Sequence, residues 1–283
     1  MWRYHVRTDL AKEAKVNFPD LAGIREEVYE KAGKTCTRIS VETEEAARRL
    51  DKPMGIYTTV SFPYETLLSV DERMSAAQFV ADELRILLPE TGEILAVGLG
   101  NRYITADALG TKTVENVLIT RHIHDQFADI LPNGTRSVCA FCTGVLGVTG
   151  METIEVVTAL CEKIRPAAVV IVDSLAANKP EHIGTVIQMN DTGISPGAGI
   201  GNFQTTLNRQ TVGVPVIALG MPLVIGMDVL QNDYGSLKQR GSGYSVTPKD
   251  IDLLVKDAAK LLSLSLNLAF YGREYTSLQK LLQ

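Results

Sequence analysis

The chain has 283 residues, 45% of them hydrophobic and 22% charged, a balance that excludes disordered and fibrous proteins and supplies a sizeable core. Twenty-eight Lys and Arg against 33 Asp and Glu leave a net charge of -5, so no overall field draws it to nucleic acid or to an anionic membrane surface. The N-terminal MWRYHVRTDLAKEAK is charged throughout, unlike a secretory signal, and the four cysteines therefore read as reduced thiols of a cytoplasmic protein.

The first ninety residues read as mixed helix and irregular structure. Within them Ser69 precedes Val70-Asp71-Glu72 at capping-box spacing and predicts a helix running to about Leu88. From Glu93 onward, short apolar runs alternate with helix-like segments. The expected strands are Ile94–Val97, Ser137–Cys142, Ala168–Val172, Val186–Met189 and Val214–Leu219. These runs lack a period of two, which implies helices on both sheet faces and hence a three-layer α/β domain with a mostly parallel sheet. Crossover helices are expected from Asp107 to about Thr120 and from Glu152 to Ile164. The longest uncharged stretch, Gln210–Met227, holds Pro215, Pro222 and three glycines, so it predicts two short buried strands and no membrane span. Tyr234–Tyr244 reads as a surface loop, and Thr247-Pro248 opens a long helix reaching about Phe270.

Carboxylates are the best-supplied chemistry. Asp107 follows the strand-like LAVGLG and is expected in the first turn of a helix, capped by Thr105. Asp173 ends the buried run AAVVIV, so both aspartates are expected at the carboxyl edge of the sheet, where open α/β sheets bind ligands. Two such groups brought together share one proton. The residues alone leave open that Asp107 merely serves a helix start and Asp173 a loop. No GxSxG elbow or HExxH zinc motif occurs, and His5, His122, His124 and His182 lie in no recognisable motif. Cys139 and Cys142 form a CxxC, but a strand would point the two thiols to opposite faces. Tyr103 stands where GxGxxG needs its third glycine, and the glycine-rich 193–202 lacks a P-loop ending. That segment suits either close approach to an extended peptide or a tight turn. Thr149 and Glu152 fit a capping box.

Several ordered blocks then carry a resemblance. GLGNRYITADALG (98–110), GVLGVTGMET (144–153), VDSLAAN (172–178) and TVIQMNDTGISPGAGIGN (185–202) resemble the germination proteases of endospore-forming bacteria, over a stretch from RTDLA (7–11) to GVPVIALGMP. The resemblance implies an endopeptidase that degrades small acid-soluble spore proteins in the spore core, a homotetramer, a fold like that of hydrogenase maturation endopeptidases, and no cofactor. It places the catalytic aspartates at Asp107 and Asp173. It also implies a self-processing zymogen cut between Asp9 and Leu10, with residues 1–9 as propeptide and 10–283 as the peptidase domain. Gly98, Gly100, Asn101, Gly147, Thr149, Glu152, Gln188, Gly197, Gly199 and Asn202 are the candidate lining of its substrate groove. The chain departs from the pattern in a shortened C-terminal half, in Met221–Met227 and at Asn178. A metal-assisted variant, a catalytically silent peptide-binding or assembly protein of the same fold, and a metal-triggered maturation peptidase for another protein stay open.

Overall fold

The computed structural model describes residues 8–197, 205–227 and 244–282. Nine strands among them form one sheet: β1 (Ile24–Lys31), β2 (Lys34–Val41), β3 (Gly55–Ser61), β4 (Ile94–Leu99), β5 (Val138–Gly144), β6 (Ala168–Ala177), β7 (Val186–Asn190), β8 (Val216–Gly226) and β9 (Ser245–Val246). Their order is β1-β2-β3-β7-β8-β6-β4-β5, with β9 added to the end of β8.

The absence of a visible period in the core strands has the expected cause. In β6, Val170 and Val172 pack into one cluster with α3 (Val70–Leu87), α4 (Leu109–Val114) and the long helix α9 (Ile251–Tyr271). Val169 and Ile171, one residue out of step, join Val157 and Cys161 of α7 (Thr153–Ile164) and Val212 of α8 (Arg209–Val212) on the opposite face. Both faces are apolar because both are covered. Toward β1 the second face is covered by α1 (Ala11–Val16) and α2 (Glu44–Leu50), which meet Ile39, Val41 and Tyr57. The short helices α5 (Arg121–Phe127), α6 (Leu146–Thr149) and α10 (Tyr275–Leu282) complete the described elements.

The α/β layering is as expected, and two features of the sheet differ. The N-terminal ninety residues are not merely helical and irregular: they supply three strands, which enter through antiparallel pairing of β3 with β7. Parallel pairing is confined to the neighbours β5, β4, β6 and β8, and the other pairs are antiparallel, so the sheet is mixed. The missed hairpin has a physical reason. β1 is almost wholly exposed and carries charges on both faces, and its two-residue turn is Ala32-Gly33, at φ +52° and +71°, with none of the Asn or Asp that usually marks such a turn.

Boundaries shift elsewhere. Ser69 caps α3 as expected, accepting from the Glu72 N–H at 3.3 Å. The crossover expected from Asp107 begins as a single 3₁₀ turn, Thr105–Asp107, without a side-chain cap from Thr105, and α4 follows it. The two strands expected in 210–227 are one strand, β8. Pro222 inside it is tolerated by a register shift, Leu175 pairing with Pro222 and Ala176 with Val224. α9 starts at Ile251, past the Thr247-Pro248 signal. The loop expected at Tyr234–Tyr244 lies, but for Tyr244, outside the described residues.

Candidate active site

Asp173 does not end its strand as expected: β6 continues to Ala177 by pairing with β8, and Asp173 lies within it, just past the point where pairing with β4 stops, opposite Gly220 of β8, which in turn pairs with Gln188 of β7. Residues in register across adjacent strands present the same face, so Asp173 and Gln188 flank a residue without a side chain. A Cβ at Gly220 would lie 2.6 Å from the Asp173 carbonyl oxygen and 2.7 Å from Leu175 Cγ, so the neighbours leave no room for a side chain at this position. Asp173 is 6% exposed, and its Oδ1 accepts from the Ser174 N–H at 2.8 Å. Burial first, and then the charge of Asp107, hold its carboxyl well above the usual carboxylate range. The Ser174 N–H pulls the other way, and Asp9 adds to the rise.

Asp107 reaches the same edge because glycine lets α4 start on top of the sheet. A Cβ at Gly100, at φ +94°, would fall 1.9 Å from the Asp107 carbonyl oxygen, and one at Gly110 would fall 2.2 Å from the Val172 carbonyl oxygen. One at Gly98 would meet the Gly110 carbonyl oxygen at 2.5 Å. Gly98 and Gly100 thus serve the scaffold beneath the aspartates. Asp107 is half-buried, and its Oδ2 accepts from the Asn101 N–H at 2.7 Å. Burial raises its pKa, against the opposing pull of that N–H.

The segment containing Asp9 and Leu10 lies in this region like an extra strand residue. The Asp9 N–H donates to the Ala176 carbonyl at 3.1 Å, and the Ala176 N–H donates to Asp9 Oδ2 at 2.8 Å. Leu10 is fully buried against Leu175, Ala177 and Val186. Gln188 donates its Nε2–H to the Asp9 carbonyl at 2.7 Å and accepts from the Ala11 N–H at 2.6 Å. Lys52 Nζ donates to the Thr8 carbonyl at 2.8 Å. Just downstream, the buried Glu13 accepts from the Asn178 and Lys179 N–H groups at 2.7 and 3.1 Å, and its Oε1 lies 2.6 Å from His182 Nδ1. Burial raises the Asp9 pKa, which the Ala176 N–H and the Lys52 charge restrain. Burial likewise lowers that of Lys52, restrained by Asp9. A cavity of about 620 Å³ opens beside the segment, lined by Asp9, Lys52, Tyr57, Gln188, Asn190 and Gly220 among others.

A family model described as germination protease matches residues 5–236. The germination protease of Clostridium perfringens strain 13 is 35% identical over 310 aligned positions, covering 94% of this chain and 95% of that protein. The Clostridium tetani germination protease is 34% identical, covering 93% and 95%. This chain belongs to the germination protease family. It is thereby a peptide hydrolase. The family's Bacillus cytotoxicus member is 36% identical over 243 positions, 82% of this chain and 66% of that one. Among solved structures, the [NiFe] hydrogenase maturation protease HycI from Thermococcus kodakarensis is 17% identical with a TM-score of 0.38, covering 65% of this chain and 98% of that one.

Set against the family motifs, the fold brings Asp107, Asp173, Asn101, Gln188, Asp9 and Leu10 to one region. Gly147, Thr149 and Glu152 lie exposed around α6 and the start of α7; the Thr149 hydroxyl bonds locally, and the Glu152 carboxylate accepts from Thr205 Oγ1 at 3.3 Å. The expected Thr149/Glu152 capping box is not formed. Thr149 closes α6, and Glu152 itself precedes α7, its N–H donating to the Glu155 carboxylate at 2.8 Å. Gly197 lies in a turn at φ +72°, whereas Gly199 and Asn202 lie outside the described residues. Cys139 and Cys142 separate to opposite faces, Cys139 toward Glu93 and Cys142 toward the Thr111 carbonyl. Among the described residues no cluster of three His, Cys, Asp or Glu could hold a metal ion. Glu13 and Lys52 escaped the sequence reading, because a Glu inside AKEAKV and a Lys before a proline look like surface charges until the fold buries the first and half-buries the second.

Proposed function

We propose that the chain is an endopeptidase in which Asp107 and Asp173 activate water, that it acts on small acid-soluble spore proteins, and that it removes its own residues 1–9 by cutting between Asp9 and Leu10. The observation that carries the reading is the placement of the Thr8–Ala11 segment as a bound peptide on the strand that bears Asp173. Asp173, the more deeply buried and facing Asp107's charge, holds the shared proton. Asp107, nearer solvent and steadied by the Asn101 N–H, takes a proton from water. The water oxygen bonds to the scissile carbonyl carbon, the C–N bond breaks, and the leaving nitrogen receives a proton from the pair.

The family resemblance extends the proposal to a homotetramer working in the cytoplasm of the spore core without a cofactor. Among the described residues no helix is long and apolar enough to cross a membrane. The decisive experiment is a timed digest of an α/β-type small acid-soluble spore protein, read by mass spectrometry, with the self-processed chain, with Asp107→Asn and Asp173→Asn, and with a chelator. Cleavage at a few sites, lost in both folded variants and indifferent to chelator, is the expected result. Cleavage that survives either substitution removes the pair from the mechanism, and cleavage abolished by chelator and restored by one metal makes it metal-dependent.

A further inference from the structure

The buried amide of Gln188 has no place in the mechanism above, yet it makes two hydrogen bonds to the one peptide segment seated in the site. Its Nε2–H donates to the Asp9 carbonyl at 2.7 Å while its Oε1 accepts from the Ala11 N–H at 2.6 Å. These are the peptide groups on either side of Leu10. The side chain is 4% exposed, the bond to the Ala11 N–H is buried, and the bond to the Asp9 carbonyl is half-buried beside the cavity. Gln188 lies in register with Gly220 and, through it, with Asp173, on the same face and two strands away, about 10 Å between backbones. Gly220 adds no side chain of its own between them, and Leu175, which also packs against Leu10, leans over it.

The geometry points to Gln188 as the donor that binds the carbonyl oxygen of the bond to be cut, and as the clamp that fixes peptide register by holding the second N–H beyond it. This inference rests on the reading that the chain cuts itself between Asp9 and Leu10. When water adds to the Asp9 carbonyl carbon, the C=O electron pair moves onto oxygen, and the Nε2–H already aimed there meets the growing negative charge. The clamp also explains how one side chain serves any substrate. It touches only backbone groups, so the residue following the cut is chosen by the apolar pocket around Leu10, formed by Leu175, Ala177 and Val186.

The test is the time course of loss of the first nine residues from the full chain, followed by intact mass between about pH 5 and 8, for the parent, Asp173→Asn, Gln188→Met and Gln188→Glu. Removing one such donor typically lowers a rate by about 10²- to 10³-fold. Gln188→Met is expected to process at least about 100-fold more slowly at every pH. Gln188→Glu can donate only while its carboxyl is protonated, so its rate relative to the parent should be highest at the acid end and fall as pH rises. A residue that merely seats the segment predicts otherwise. The ionised carboxylate of Gln188→Glu still accepts from the Ala11 N–H, so parent-like processing by that variant at pH 8 would overturn the proposal even if Gln188→Met fails to fold. A parent that never loses nine residues, or an Asp173→Asn chain that does, overturns the cleavage reading itself.

Discussion

When a buried carboxyl faces a second carboxylate, ionising it costs the folded state and leaves the unfolded state unaffected. Asp173 is in that position, its pKa raised by burial and by Asp107. Between the unfolded carboxylate pKa, near 3.9, and the raised folded value, the folded chain binds more protons than the unfolded one, so stability falls as pH rises through that window. Asp173→Asn abolishes this loss. It should unfold at a higher temperature than the parent at pH 7, with a gap that closes toward pH 4, and each kcal/mol relieved corresponds to roughly 2–4 °C in a chain of this size. Thermal unfolding followed by circular dichroism across that range measures it. A variant less stable than the parent at pH 7 would mean that Asp173 is held ionised by contacts other than the Ser174 N–H. Asp107 and Asp173 stood out in the sequence because Asp173 directly follows a buried apolar run and Asp107 follows another by a short linker. Lys52 and Glu13 did not, since what distinguishes them is contact with residues far away in the chain, Thr8 and Asp9 for one and His182 for the other.

The strands carrying the site were located from the sequence, because burial on both faces leaves a strong, continuous apolar signal, but β6 and β8 run on to Ala177 and Gly226, past the expected ends at Val172 and Leu219, where Asp173, Ser174, Gly220 and Pro222 interrupt that signal. The β1–β2 hairpin was missed because an exposed strand leaves none, and because its turn uses Ala32 in a left-handed conformation that Ala tolerates poorly. Ala32→Asn would give the turn the Asn-Gly pair that this geometry favours and is expected to stabilise the chain by up to about 1 kcal/mol, seen as a higher denaturant midpoint at unchanged slope. The close seat of α4 on β4 and β6 makes the opposite prediction. Gly110→Ala places a Cβ 2.2 Å from the Val172 carbonyl oxygen and 2.5 Å from that of Leu99, contacts with backbone on two strands that no rotamer relieves. A loss of about 1–3 kcal/mol is expected, together with slower processing, because a displaced α4 carries Asp107 with it. Full processing by a destabilised Gly110→Ala chain would show that the aspartates tolerate such movement.

The fold as a whole determines whose peptide occupies the site. The segment seated beside Asp173 belongs to the same chain and is held at both ends. Upstream, Lys52 grips the Thr8 carbonyl. Downstream, Glu13 ties the start of α1 to the backbone of Asn178 and Lys179, immediately after β6. α1 then packs on Ile39, Val41 and Tyr57, so the path from the site into the body of the molecule is continuous and short. Residues joined this way meet Asp107 and Asp173 at an effective concentration in the millimolar range, far above any concentration at which a second copy would compete. Removal of residues 1–9 is therefore expected to be first-order, with a half-time unchanged when the protein is diluted from about 10 to 0.1 µM, a range still well below that local concentration. A labelled Asp173→Asn chain mixed with unlabelled parent completes the test. It should stay intact while the parent is processed, since its own segment occupies its own site. A half-time that lengthens with dilution, or cleavage of the labelled chain by its neighbour, would mean that the segment leaves its seat and is cut by another copy.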